Sequence, residues 1–140
     1  MLSFKIKTSG VNLKKLDLRK PLQKLVNRLT EYAYVVMRFE EAPEKTGRLK
    51  GSIKRRKRGL EGEVSVGVPY AIYVELGTAP HEIRPVHARA LRFTTEAGEV
   101  IFTRLVHHPG TKPNPFIKRT MERTSKQLPK EWMKIWEAIK

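Results

Sequence analysis

The chain has 140 residues, of which 39% are hydrophobic and none is cysteine. This length and apolar fraction predict a single folded domain, residues 1–140, with a core of its own. The lack of cysteine excludes disulfides and thiolate catalysis. No apolar run reaches the roughly 18 residues of a membrane span, and the N-terminus has no signal-peptide pattern. We therefore expect a protein that is made in a cytosol and does not contact a membrane.

The net charge is +15, and it is unevenly spread along the chain. Residues 1–60 carry 17 basic and 5 acidic side chains, whereas residues 61–140 carry 12 and 9. A field of this strength favours anionic partners, such as nucleic acid or an acidic protein surface. The alternative is that the charge only keeps the protein soluble, because net charge bears on partners and not on fold.

The N-terminal part predicts a strand and then a long helix. Met1–Val11 alternates apolar and polar residues, which is the period of a short edge strand. From Leu18 or Pro21 to about Glu41, apolar residues recur at three- and four-residue steps and form one stripe of an amphipathic helix. The stripe consists of Leu22, Leu25, Val26, Leu29, Ala33, Val36 and Met37.

A first β-hairpin is predicted from Ile53–Arg58 and Glu63–Val68, around turn residues 59–62. Its second strand alternates valines with polar residues. Its first strand continues as five consecutive cations, Lys54, Arg55, Arg56, Lys57 and Arg58. Such a run can contact nucleic-acid phosphates through charge alone, without reading sequence. It can equally protect an edge strand from pairing with a neighbouring chain.

The middle of the chain, Pro69–Pro85, is its least basic part. The apolar run Tyr70–Leu76 contains one acid, Glu75, and predicts a short buried helix or strand that ends at Gly77. A second stretch of similar character, His107–Thr120, is also rich in proline and glycine. We expect the two stretches to lie close together in the fold.

Between these stretches, Ala90–Thr95 and Val100–Val106 predict a second hairpin. The latter strand is apolar on both sides, so we expect it to be central in its sheet. After the second stretch, Asn114 before a proline predicts a helix N-cap. Pro129 is expected to break or restart that C-terminal helix. Apolar residues continue at helical spacing to the end of the chain, at Trp132, Ile135, Trp136 and Ile139.

No complete catalytic or metal-binding set is apparent. The residue types that ligate zinc are His81, His87, His107 and His108, with Glu75 and Glu82. No two of them have a tight metal-ligand spacing, so we expect no metal and no cofactor. The chain has one aspartate and no Gly-x-Ser-x-Gly motif, so we expect no catalytic residues and no enzyme activity.

Three segments, in this order, carry a family resemblance: Thr46–Ile53 (TGRLKGSI), Tyr70–Thr78 (YAIYVELGT) and His108–Phe116 (HPGTKPNPF). In them the chain resembles the minor tail-component family of long-tailed bacteriophages and prophages, also described as tail-completion or head–tail joining proteins. The resemblance runs from the long helix to about Thr124. It divides the domain into an N-terminal strand and link (1–17), a family-like core (18–127) and a C-terminal helical extension (128–140).

The resemblance implies a non-enzymatic structural protein of the virion neck, made in the host cytoplasm. It implies contacts with copies of itself in a ring, with tail-tube proteins and with the head connector. It also implies an α+β fold with helices packed on an antiparallel sheet. The predicted elements agree with that fold: two hairpins and an N-terminal edge strand form the sheet, which packs against a long N-terminal helix and C-terminal helices.

In such an assembly, rigid loops rich in proline and glycine are candidate contact surfaces. The candidate interface residues are Gly77, Thr78, His81, Pro85, His108, Pro109, Gly110, Lys112 and Asn114. The alternative function is a stand-alone basic nucleic-acid-binding protein that contacts phosphates through Lys54–Arg58. A histidine-based, basic ribonuclease is a third hypothesis.

Overall fold

A computed structural model of the chain describes residues 1–7, 17–45 and 47–139. Residues 8–16 of the predicted N-terminal strand and link lie outside these ranges. So do Thr46 of the first resemblance segment and Lys140 of the predicted extension. Among the described residues, no helix is long and apolar enough to cross a membrane.

The described elements follow one another in an order that mixes strands and helices. They are β1 (Leu2–Lys7), α1 (Arg19–Val35), α2 (Arg48–Gly51), β2 (Ile53–Arg58), β3 (Glu61–Val66), α3 (Ala71–Leu76), β4 (His81–Ile83), β5 (Leu91–Thr94), β6 (Val100–Thr103), β7 (Val106–His108) and α4 (Phe116–Glu137). After α1 the helix continues as a π-helical segment, Val36–Glu41. The predicted α+β fold is confirmed, because an antiparallel sheet packs against helices.

The main sheet has three antiparallel strands in the order β1-β3-β2. β3 is central, so that Val64 lies opposite Phe4 of β1 on one side and Arg55 of β2 on the other. The N-terminal strand is at the edge, as predicted. The alternation in β1 and β3 turns their apolar side chains toward the helices, and the core forms between these two layers.

The helical layer consists of α1, which packs against the main sheet, and α4, which packs against α1 and the π-helical segment. The predicted stripe of α1 is largely buried, as expected from its spacing. In one part of the core, Leu25 and Leu29 of α1 meet Ile135 of α4, with Trp132 packed beside them. The described part of the C-terminal extension, residues 128–139, therefore belongs to the helical layer.

The predicted break at Pro129 is wrong, because α4 is a single helix with Pro129 inside it. A proline removes one helical hydrogen bond and strains the preceding turn. Here the buried face continues on both sides of it, with Thr124 before and Ile135 after. Packing of that continuous face against α1 holds the two halves in line.

The second hairpin is not part of the main sheet, which corrects the prediction of one sheet from two hairpins. β5 and β6 form a two-stranded sheet of their own, and β4 and β7 form another. The predicted strand Val100–Val106 ends at Thr103, whose hydroxyl donates to the Leu105 carbonyl at 2.9 Å and accepts from its N–H at 3.3 Å. This strand is apolar on both sides although it is not central, so the expectation drawn from that pattern is wrong.

Candidate functional site

The two proline- and glycine-rich stretches lie side by side, as the sequence predicts. Thr78 and Thr111 exchange two backbone hydrogen bonds of 3.0 Å each, and their hydroxyl oxygens are 3.1 Å apart. Beyond this bridge, β4 pairs with β7, and His81 lies opposite His108. The Thr78–Thr111 bridge joins residues that are 33 positions apart in sequence.

Two glycines make this close approach of the backbones feasible. Gly77 and Gly110 have φ angles of 72° and 81°, a region that side chains rarely adopt. A Cβ at Gly77 would lie 2.5 Å from the Thr111 carbonyl oxygen, and one at Gly110 would lie 2.2 Å from the Thr78 carbonyl oxygen. Each loop therefore occupies the space that a side chain on the other would need.

Glu75 connects the first stretch to the helical layer. Its two carboxylate oxygens accept the backbone N–H groups of Ile117 and Lys118, at 2.9 and 3.0 Å. These N–H groups lie in the first turn of α4, where a helix lacks internal acceptors and where negative charge is favourable. The cap that Asn114 was expected to provide is thus supplied by Glu75, and that prediction is wrong.

Asn114 instead holds the loop that precedes α4. Its backbone N–H donates to the Val74 carbonyl at 2.9 Å, and its Oδ1 accepts from Arg119 at 2.7 Å. Arg119 also forms an ion pair with Glu41 at the end of the π-helical segment. The pKa of the Glu41 carboxyl lies below its ordinary value, chiefly because Arg119 hydrogen-bonds to it. The loop is therefore fixed on both sides.

An open groove of about 730 Å³ lies where the three resemblance segments meet, and we call it the central groove. Its lining residues are Pro43, Lys45, Gly47, Arg48, Leu49, Tyr70, Tyr73, Val74, Thr78, His81, Ile83, His108, Thr111, Lys112 and Asn114. Large apolar side chains remain exposed in its walls: 60% for Tyr73, 38% for Tyr70 and 37% for Ile83. The prediction of a buried element at Tyr70–Leu76 is wrong, because α3 buries Ala71 alone.

The electrostatic character of the central groove is positive. Lys45, Arg48 and Lys112 line it, and no acidic side chain of the described residues does. None of the three forms an ion pair with another described residue. The surface thus combines apolar walls with uncompensated cations.

The predicted interface residues divide into two groups. Thr78, His81, His108, Lys112 and Asn114 line the central groove. Gly77 and Gly110 bring the loops together behind it, whereas Pro85 and Pro109 lie outside its lining.

Several aromatic and basic residues in the walls of the groove, notably Tyr70, Tyr73 and Arg48, were not among the predicted interface residues. Their only signal was membership of the resemblance segments.

The histidines make contacts within these loops. The His81 and His108 rings stack, with centroids 5.0 Å apart. Nδ1 of His107 lies 3.5 Å from a carboxylate oxygen of Glu82, and His87 is exposed before β5. In the ranges that the structure describes, no three metal-ligating side chains come together.

The five cations of β2 are divided between the two faces of the main sheet. On the inner side, Arg55 and Lys57 both pair with Glu31 of α1, and the Arg55 guanidinium lies 4.1 Å from the centre of the Tyr34 ring. The pKa of Glu31 lies below its ordinary value, mainly because Lys57 hydrogen-bonds to the carboxylate. Two of the five cations are thus paired, and they share one carboxylate.

The outer side of β2 carries the other three cations. Arg56 pairs with Glu63 at 2.8 Å. Lys54 and Arg58 form no ion pair with any residue in the described ranges. The outer face of the main sheet, which strand alternation defines, also presents Lys5 and Lys7 of β1 and Glu61 of β3, so it remains basic.

Comparison of the chain with protein-family models, curated proteins and solved structures found no match in any of the three. The resemblance to the phage tail-component family therefore depends on the three sequence segments alone.

Proposed function

We propose that the chain is a non-enzymatic structural protein of the neck of a long-tailed phage or prophage. There it completes the tail and joins it to the head connector. One observation carries the proposal: residues of all three resemblance segments line the central groove, although the segments are far apart in sequence. If the three segments contact the same partner, they must lie on one surface, and here they do.

The character of that surface supports a protein partner. Exposed aromatic and aliphatic side chains that cluster in one place are typical of protein–protein contacts. The groove is built from loops fixed by the Thr78–Thr111 bridge and by Glu75, so binding would order little additional chain. The proposed partners are copies of the chain in a ring, the tail tube and the head connector.

The test is a head–tail joining assay, by complementation or reconstitution, with one groove variant and one core variant. Lys112→Glu reverses an exposed charge in the groove, so we expect a nearly unchanged melting temperature and a loss of joining. Leu25→Ala opens a cavity in the buried contact with Ile135, so it should cost about 2–5 kcal/mol of stability.

The matched control is Lys130→Glu, which makes the same charge change on an exposed part of α4 outside the groove. It should join heads and tails normally. Normal joining by Lys112→Glu would show that the groove is not the interface. Genes for portal, capsid and tail-tube proteins beside this gene would support the neck assignment independently.

A second candidate function is sequence-independent nucleic-acid binding, and the outer face of the main sheet favours it. Lys54 and Arg58 are exposed there without an ion-pair partner among the described residues. We expect weak duplex-DNA binding that falls on the order of tenfold or more between about 50 and 200 mM salt, because bound counterions are released.

The variant Lys54→Glu, Arg56→Glu, Arg58→Glu should abolish this binding. The control variant Lys118→Glu, Lys126→Glu, Lys130→Glu changes net charge equally at exposed positions of α4. Equal losses in both variants would mean that net charge, and not this face, drives binding. Unchanged binding in the β2 variant, or binding that persists at high salt, would exclude the proposed mode.

A further inference from the structure

The β5–β6 hairpin, residues 91–103, is an apolar arm without a packing partner in the described chain. β5 and β6 pair with each other, and neither packs extensively against another described strand or helix. Phe93 and Ile101 lie opposite each other and are 40% and 38% exposed. On the other face, Val100 is 45% and Phe102 66% exposed. Apolar side chains on both faces of an isolated hairpin indicate a surface that is buried in an assembly.

The charge of the arm is opposite to that of the rest of the molecule. Residues 91–103 contain two acids, Glu96 and Glu99 at the turn, and one cation, Arg92 in β5, in a chain of net charge +15. Copies of so basic a chain repel one another unless acidic and basic surfaces meet. The central groove has the complementary pattern: apolar walls at Tyr70 and Tyr73, with Lys45, Arg48 and Lys112 around them.

The arm does not occupy the groove of its own chain. The groove is lined by β4 and β7 at the base of the arm, but by no residue of β5 or β6 in the described structure. In the described structure, the acidic turn of the arm therefore does not line the groove of its own chain.

We propose that the hairpin arm of one copy binds in the central groove of a second copy. Since the two surfaces are different parts of the same chain, the contact is head-to-tail and leaves one free arm and one free groove in every pair. Successive copies then build a ring if the rotation closes. The inference deepens the proposed function and rests on it, because it names the occupant of the groove already assigned to subunit contacts.

Site-directed cross-linking tests this contact. Because the chain has no cysteine, no natural thiol reacts with the cross-linker. One chain carries Ala97→Cys at the arm turn, and a second carries Glu44→Cys, an exposed position next to Lys45 in the groove. A short bismaleimide should link the two chains when they are mixed at micromolar concentration. The control partner, Ser125→Cys on the exposed side of α4, should give at least tenfold less product.

A charge-swap cycle then tests the complementarity. Adding Glu96→Lys and Glu99→Lys to the arm chain should lower the cross-linking rate at least tenfold. Adding Arg48→Glu and Lys112→Glu to the groove chain should do the same. Combining the two altered chains should restore the rate, because opposite charges face each other again.

Each outcome decides the proposal. Cross-linking at Glu44→Cys no faster than at Ser125→Cys would overturn it. The proposal would also be overturned if changing the charges on the arm alone or on the groove alone left the cross-linking rate unchanged. Failure of the combined pair to restore that rate would overturn it too. The cross-linking uses the purified chain alone, so its failure is distinguishable from failure of the neck assignment. A protein that still joins heads to tails but gives no arm-to-groove product would keep the function and lose this contact.

Discussion

At Gly62 the main sheet lies too close to the helical layer to leave room for a side chain. A Cβ built there would lie 1.7 Å from the hydroxyl oxygen of Thr30 on α1. Thr30 is fully buried, and its hydroxyl already donates to the Val26 carbonyl at 2.7 Å. Since the interior is close-packed, no side chain can be added at Gly62 unless the Thr30 side chain or α1 itself shifts.

Gly62→Ala should therefore destabilise the fold by about 1–3 kcal/mol, measured by denaturant unfolding. Gly51→Ala is the matched control, because no heavy atom lies within 4 Å of its Cβ position and its φ angle is ordinary. Adding Thr30→Ala to Gly62→Ala should recover part of the loss, since it removes the hydroxyl at the contact. Equal stability of the Gly62 and Gly51 variants would contradict this account of the packing.

α4 depends on an acceptor from another element at its first turn. Glu75 of α3 accepts two N–H groups there, and no side chain next to α4 in sequence caps it. This places α3, and with it the aromatic wall of the central groove, in a fixed position relative to the helical layer. Removing the carboxylate should affect both the helix and the groove.

Glu75→Ala should cost about 0.5–2 kcal/mol, the usual range for a lost N-cap. Glu75→Gln keeps an acceptor oxygen but loses the negative charge near the helix N-terminus, so its cost should be smaller, about 0.3–1 kcal/mol. Glu122→Ala, an exposed change on α4, is the control. Hydrogen exchange should accelerate at the amides of Ile117 and Lys118 in the alanine variant, and unchanged protection there would argue against the cap.

For the whole molecule, the sequence predicts best what depends on local periodicity. The stripe of α1 and the alternation of β1 and β3 each repeat a pattern tied to one backbone geometry, so their existence and buried faces are recovered. The second hairpin is also predicted from the sequence, but its position outside the main sheet is not. A strand that is apolar on both faces is compatible with the centre of a sheet and with an exposed arm, and only tertiary structure separates the two.

The candidate site shows the same limit. The proximity of the two stretches, Pro69–Pro85 and His107–Thr120, was predictable from their similar composition. Rigid loops of the same kind are expected to join the same core elements. The exposure of Tyr70 and Tyr73 was not, since a dense apolar run suits a core and an interface equally. The cap at Ile117 was also out of reach, because its acceptor lies 42 residues earlier in the chain.

The short junction between β6 and β7, where the Thr103 hydroxyl holds Leu105, has a consequence for symmetry. Together with residues 84–90, it connects the hairpin arm to the body that carries the groove, so it contributes to the direction in which the arm leaves that body. In an arm-to-groove assembly that direction fixes the rotation relating one copy to the next, and a ring closes only when whole repeats of the rotation complete a full turn. If the proposed contact forms, the number of subunits would follow from these connections, whereas the strength of each contact would depend on the arm and the groove.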